Sequence, residues 1–129
     1  MNTMHPNIAV LQKFNPSNPA DAADVIAADA VFHFFNPLLP DVQGDYVGLR
    51  GFQDFFEKMA GQTGGTFKVN PMSITPVGDE LVVVHTKNTM TFADQQIETD
   101  VVVVWRIVEG LIREVWDIPS VYSAETKTL

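Results

Sequence analysis

The chain reads as an α+β protein, with helices first and an antiparallel sheet after them. From Thr66 onward apolar residues recur with a period of two through four segments, "TFKVNPMSITPV", "ELVVVHTKNTMTF", "QIETDVVVVWRIV" and "LIREVWDIP", parted by the turn signals "GDE", "ADQ" and "EG". Before that point the spacing is three and four, as in Leu49, Phe52, Phe56 and Met59. A run of helices followed by a run of strands packs with the helices on one face of a curved sheet. The 129 residues are 46% hydrophobic and show no composition break, so residues 1–129 are read as a single domain with one core.

Along the chain, "PNIAVLQKF" gathers Val10, Leu11 and Phe14 on one side of a short first helix. "NPADAADVIAADA" predicts a second, with Asn18 as cap, Pro19 at the first helical position, and Asp21 and Asp24 near the positive helix end. "AVFHFF" is rich in aromatic and β-branched residues and predicts a strand, stopped by the proline- and glycine-containing loop "NPLLPDVQGDYVG". The third helix carries the Leu49 to Met59 stripe and ends at Gly61 and then Gly64-Gly65. Four strands of an antiparallel meander follow, and the polar tail "SAETKTL" is read as loose.

Bulk chemistry excludes several function classes. A net charge of -8 and a pI near 4.6, with no basic cluster, repel phosphate backbones and anionic lipid, so neither nucleic acid nor membrane is expected as a partner. The absence of cysteine removes disulfides, thiolate metal sites and thiol redox chemistry. No run of about eighteen apolar residues occurs, and "MNTMHPNIAVLQKF" lacks the pattern of a secretory signal, so a cytoplasmic protein is the expectation. No histidine pair has metal-ligand spacing, "GQTGGT" lacks the lysine and strand-to-helix setting of a phosphate loop, and no serine elbow appears.

The last hairpin can be registered from its turn. A three-residue loop Val108-Glu109-Gly110 sets Ile107 against Leu111, and then Trp105 against Arg113, Val103 against Val115, and Val101 against Asp117 on one surface. On the other surface Val104 faces Glu114, Val102 faces Trp116, and Asp100 faces Ile118. A two-residue loop would instead put Asp117 beside Val102. Both surfaces of "VVVVW" are apolar, so both are expected to be covered, either by a second copy of the chain in a homodimer through the outer sheet face or by a sheet that curls onto itself.

Four stretches, "AADAVFHF", "GDYVGLRGFQDFFEKM", "DELVVVHTKNTMTF" and "VVVVWRIVEGLIREVWDI", together resemble the nuclear transport factor 2-like superfamily, in particular its SnoaL-like polyketide cyclases. Ketosteroid isomerases and limonene epoxide hydrolase are cousins. The resemblance spans nearly the whole chain. It implies a cone-shaped α+β barrel around an apolar pocket, N-terminal helices on a curved, mainly antiparallel sheet, and often a dimer through the outer sheet face. Where ketosteroid isomerases carry a proton-shuttling Asp and an oxyanion-stabilising acid, this chain has Phe34 and Val103, so steroid isomerisation is not implied. Asn36 is the nearest polar residue to Phe34, and amides do not shuttle protons. In the epoxide hydrolase and SnoaL-like branches an acid on the final strand lies in the pocket, and Asp117 resembles it. The hydrolase's Asp, Arg, Asp triad is not matched, because Arg113 stands four residues from Asp117, about 13 Å along the strand.

Asp117 is therefore the candidate catalytic residue: among Val101, Val103 and Val115 its carboxyl would be poorly solvated and its pKa raised into the range useful for proton transfer. The competing reading is a strand-end carboxylate that reaches water or caps a backbone group. Phe34, Asn88, Met90, Val103, Trp105 and Val115 are candidate pocket lining, and Tyr46 is a candidate hydrogen-bond donor to a ligand carbonyl, or an ordinary packed loop tyrosine. His85 shares a face with Lys87 and Thr89, opposite the more apolar set Val82, Val84, Thr86, Asn88, Met90 and Phe92, and is read as facing outward. His33, between Phe32 and Phe34, is read the same way, and a one-residue slip would turn both histidines inward. His5 is expected at a frayed start. Two functions fit: an acid-base enzyme (isomerase, cyclase, dehydratase or hydrolase) that needs no cofactor and acts on a small apolar carbonyl- or epoxide-bearing molecule, or a noncatalytic module that binds a small ligand or a protein.

Overall fold

The computed structural model describes residues 5–122 and the backbone of 125–128. His5 is not a frayed start: its ring Nδ1 accepts from the Asn7 amide at 3.1 Å and caps α1 (Pro6–Leu11), whose first position suits the N–H-less Pro6. The second helix is a correction. Only Pro19–Val25 turns, as a 3₁₀ segment that is non-helical at Ala22, and β1 (Ile26–Phe34) is already strand where helix was expected. Asn18 bonds Asp21 through its side chain at 3.1 Å and gives no cap bond to the backbone. Pairing of Ile26 with Ile112, together with burial of Ala22, Ala27 and Ala30, overrides the helix preference of an alanine-rich stretch.

The expected loop after β1 contains a short strand, β2 (Gly44–Val47), antiparallel to β1 with Tyr46 opposite Phe32. It leads directly into α2 (Gly48–Thr63), which buries Phe52, Phe55 and Met59. The Phe55 ring stands 4.4 Å from Phe32 and 4.9 Å from Phe34, centre to centre, so this helix seats on β1 through aromatic contacts. Gly51 lets α2 approach β2, since a Cβ there would lie 2.6 Å from the Tyr46 carbonyl carbon. The helix runs through Gly61 and stops at Gly64, whose φ of 60° is left-handed, with the Gly65 amide donating to the Ala60 carbonyl at 2.9 Å.

The meander then forms as predicted: β3 (Lys68–Val77), β4 (Leu81–Phe92), β5 (Gln95–Val108) and β6 (Leu111–Pro119), each antiparallel to the one before. β6 also pairs with β1 in parallel, which gives a mixed sheet in the order β2-β1-β6-β5-β4-β3. β3 stands at one edge of that order, where Pro71 and Pro76 are tolerated. The tail read as loose contributes β7 (Glu125–Thr128), paired with Gln95–Glu98 at the start of β5.

The final hairpin corrects the predicted register in two places. Glu109 and Gly110 both have positive φ, 54° and 77°, which makes a two-residue turn with Val108 opposite Leu111 and Ile107 opposite Ile112. A bulge between Arg106 and Ile107 then inserts one residue, and beyond it Trp105 faces Val115, Val103 faces Asp117 and Val101 faces Pro119. The shorter turn alone would have moved Asp117 to the opposite face. The bulge restores it, so Asp117 slips by two partners and keeps its side of the sheet.

That side is covered by α1, α2 and the segment between them; Phe14 packs on Trp105 at 5.1 Å and on Phe56 at 5.8 Å. The opposite face carries Val102, Val104, Trp116 and Ile118, with Val102 39% and Ile118 55% exposed. Among the described residues no helix is long and apolar enough to cross a membrane.

Candidate active site in the sheet's concave face

Register brings the site together. Phe34 on β1, Asp117 on β6, Val103 on β5 and Val84 on β4 form one row across the inner face. Asp117 is thus flanked by the two apolar residues that stand where the resemblance puts the isomerase acids. The neighbouring row is Phe32, Val115, Trp105 and Val82, all buried. The sheet's hollow holds two adjoining chambers, of about 140 Å³ and about 280 Å³. Val103, Trp105 and Phe14 help line the smaller, Phe34, Phe55 and Met90 the larger, while Asp117, Asn88 and Phe67 belong to the walls of both.

Among the described residues that line either chamber, Asp117 is the only ionisable one. No hydrogen bond or ion pair from the described residues reaches it, and burial alone pushes its carboxyl from 3.8 up to about 7. It keeps some accessible surface and lines both chambers, so it is reachable by a small molecule there. Such a group is divided between acid and carboxylate at neutral pH, which suits it to give and take protons.

Two polar side chains on β4 complete the site. Thr86 and Asn88 are 3% and 5% exposed; Thr86 lines the smaller chamber and Asn88 both, and Thr86 Oγ1 and Asn88 Oδ1 have no hydrogen-bond partner among the described residues. A buried polar atom left unpaired costs about 1–3 kcal/mol, so an atom of this kind on a cavity wall is where a ligand's polar group gains most. Thr86 lies two strands across and two residues along from Asp117, about 12 Å between Cα atoms on an ideal sheet, a gap that fits a small molecule. The alternation on β4 puts both residues on the inner face, and only the accounting of their bonds singles out Thr86.

Tyr46 and Val115 line neither chamber, a correction to the expected lining. The Tyr46 hydroxyl donates to the Val42 carbonyl and is spent there. Val115 is fully buried between its strand neighbours Phe32 and Trp105. Asn36 reaches the larger chamber, but its side-chain oxygen accepts from the Leu38 amide at 2.9 Å. Arg113 pairs with Asp29 at 3.6 Å, so no arginine accompanies Asp117.

Both strand histidines occupy the outer face. His33 is held between Asp45 and Glu114, each at 2.7 Å, and stacks on Trp116; His85 bonds Asp100 at 2.8 Å. Among the described residues no group of three or more potential ligands could hold a metal ion.

Comparison with known proteins bears on the fold. The solved structure of an NTF2-like protein of unknown function from Burkholderia pseudomallei superposes with a TM-score of 0.76 at 16% identity, covering 92% of this chain and 93% of that one. TerC co-crystallised with polyporic acid gives 0.75 at 18% identity, covering 89% and 92%. IdmH, a proposed polyketide cyclase from Streptomyces antibioticus, gives 0.68 at 18% identity, covering 91% and 93%. At these identities the likeness shows the fold alone, which is NTF2-like. No curated protein sequence matches the chain. The profile of the SnoaL-like domain does match, over residues 8–115, from α1 into β6 and ending two residues before Asp117, and by that match the chain belongs to the SnoaL-like domain family.

Proposed function

We propose that the protein is a cofactor-independent acid-base enzyme acting on a small, mostly apolar molecule that bears a carbonyl or an epoxide, with Asp117 as its proton-transfer group. The observation that carries this is Asp117's position as the one ionisable residue, among the described residues, on the walls of two largely apolar chambers, with no countercharge from those residues. With a carbonyl ligand, the Asp117 carboxylate removes a proton from the carbon beside the carbonyl. The C–H electron pair becomes the enolate double bond and charge moves to oxygen. The Asp117 acid then returns the proton to another carbon or to a departing oxygen. The Thr86 hydroxyl on the facing wall can donate to the enolate oxygen, and Asn88 Oδ1 on the same strand can accept from a donor group on the ligand. Replacement of the isomerase acids by Phe34 and Val103 leaves one carboxyl to work in both directions, which favours proton relocation within one ligand. The polyketide-cyclase description of IdmH agrees with a small organic ligand in this fold.

The same reading assigns the outer face to a second copy of the chain. Val102, Val104, Trp116 and Ile118 form an apolar strip, bordered by paired charges such as Arg106–Glu80 at 2.6 Å and Lys87–Glu98 at 3.3 Å.

The function is tested by α-proton exchange of an apolar ketone, 2-tetralone, in deuterated buffer, followed by proton NMR. The protein is expected to accelerate exchange, and Asp117→Asn to reduce the enzymatic rate by about 10²–10⁴ while the ketone still binds. Equal rates in the two proteins would remove Asp117 from the mechanism. Binding with no acceleration in either would establish the noncatalytic ligand-binding reading.

A further inference from the structure

Phe67 stands where three hollows meet. It lines both chambers that hold Asp117, and it also lines a wide groove of about 630 Å³ on the outside, formed with residues of α2 and the 15–19 segment. Pro16, Phe56 and Val69 are shared between that groove and the smaller chamber, so the two adjoin along a wall in which Phe67 sits. Its ring is only partly buried, although it packs against the core.

The backbone around Phe67 is pinned. Thr66 Oγ1 donates to the Thr63 carbonyl at 2.6 Å and accepts from the Thr91 amide at 2.7 Å, and Lys68 begins the ladder with β4 opposite Thr89. What can move is the side chain, and the groove offers the space into which its ring can swing. Rotamer changes of exposed side chains take ps to ns, and a partly buried ring bordering open space has several orders of magnitude to spare before it becomes slower than turnover.

Chamber size gives this motion a use. Small-molecule sites usually measure about 300–1,000 Å³, and neither chamber reaches that alone, whereas the joined pair does. In the joined space Asp117 and Asn88 sit at the waist, with apolar walls on either side. We propose that the Phe67 ring is a swinging partition that separates the two chambers at rest and joins them when it turns into the groove, so that the protein selects a two-lobed apolar ligand with its polar group in the middle. Phe67 is then the residue that sets ligand length. This rests on the reading that the chambers hold the ligand, and it adds what shape that ligand has.

Two probes test it: acetophenone, one ring with a carbonyl, and dibenzoylmethane, two rings flanking an enolisable diketone. Dissociation constants are measured by titration calorimetry for the wild type, Phe67→Ala, Phe67→Leu and Phe67→Trp, each checked for folding by circular dichroism. The preference for dibenzoylmethane over acetophenone is expected to rise at least tenfold in Phe67→Ala, to rise less in Phe67→Leu, which keeps apolar bulk, and to fall at least tenfold in Phe67→Trp. A preference that stays within twofold across the folded variants would overturn the partition, and the assignment of proton exchange to Asp117 would stand, since that is tested separately by Asp117→Asn. If no protein, wild type included, binds either probe, the partition and the ligand-site reading fall together.

Discussion

A single carboxyl without a partner dominates the energetics of the site. Because burial raises the Asp117 pKa from 3.8 to about 7, the folded protein holds a proton that the unfolded chain has lost across that interval. Stability therefore falls as pH rises from about 4 to about 7 and stays lowered above it, by roughly 4 kcal/mol for a shift of this size. Asp117→Asn removes this contribution, so urea titrations should show the wild type weakening relative to the variant from pH 4 to 8; parallel curves would mean a normal carboxyl. In the exchange assay the carboxylate is the active form, so the rate should climb with pH through about 7 and level off beyond it. Thr86→Val replaces the unpartnered hydroxyl by a methyl of similar shape. It should stabilise the fold by about 1 kcal/mol in a thermal melt and slow exchange. A loss of stability would show that the hydroxyl already has a partner. Of these residues, Asp117 was legible because a charge interrupts an apolar strand, whereas Thr86 and Phe67 were not. A threonine in an alternating strand and a phenylalanine after two glycines look ordinary until bonds and cavity walls are known.

Elements were legible where one period ran long. The stripe of α2 and the alternation through β3 to β6 exceed the noise of single residues, but β2 has only four residues inside a proline-containing loop, and "IAADA" carries helix-forming alanines into a strand. The hairpin between β5 and β6 shows how parity survives a wrong register: a turn one residue shorter than expected is offset by one bulge. Two contacts between elements can be tested. Gly51→Ala drives a Cβ into the Tyr46 backbone where α2 meets β2, and should destabilise by about 1–3 kcal/mol in urea; an unchanged midpoint would refute the close approach. His33 ties β1 to β2 and β6. Burial lowers its pKa, but hydrogen bonds to Glu114 and Asp45 and the charges of both outweigh this and hold it above 6.5. Its stabilisation is present below pH 6.5 and lost as pH rises through the folded pKa. The gap in stability between wild type and His33→Gln should therefore be wide at pH 5 and closed at pH 9.

At the scale of the whole molecule, the sheet separates two tasks. Its concave face lines the chambers, and its outer face presents an apolar strip with flanking charge pairs, in which Val102 and Ile118 are exposed and Trp116 is partly covered by His33 and Arg106. The run "VVVV" is apolar on both sides, and since the helices cover one side, a second copy of the chain remains the proposed cover for the other. Sedimentation at micromolar concentration should give twice the chain mass, and Ile118→Lys, which places a charge in the exposed strip, should return the monomer with the chambers still able to bind ligand. A wild-type monomer would refute the assignment of that face.

The protonation of Asp117 underlies the proposed chemistry and can be read directly. Carbon NMR of protein labelled at the aspartate carboxyls, with Asp117→Asn to identify the resonance, should show this one carboxyl titrating near pH 7. A midpoint in the ordinary aspartate range, near 4, would mean that the group is solvated or paired, and would contradict the account of a buried proton-transfer residue.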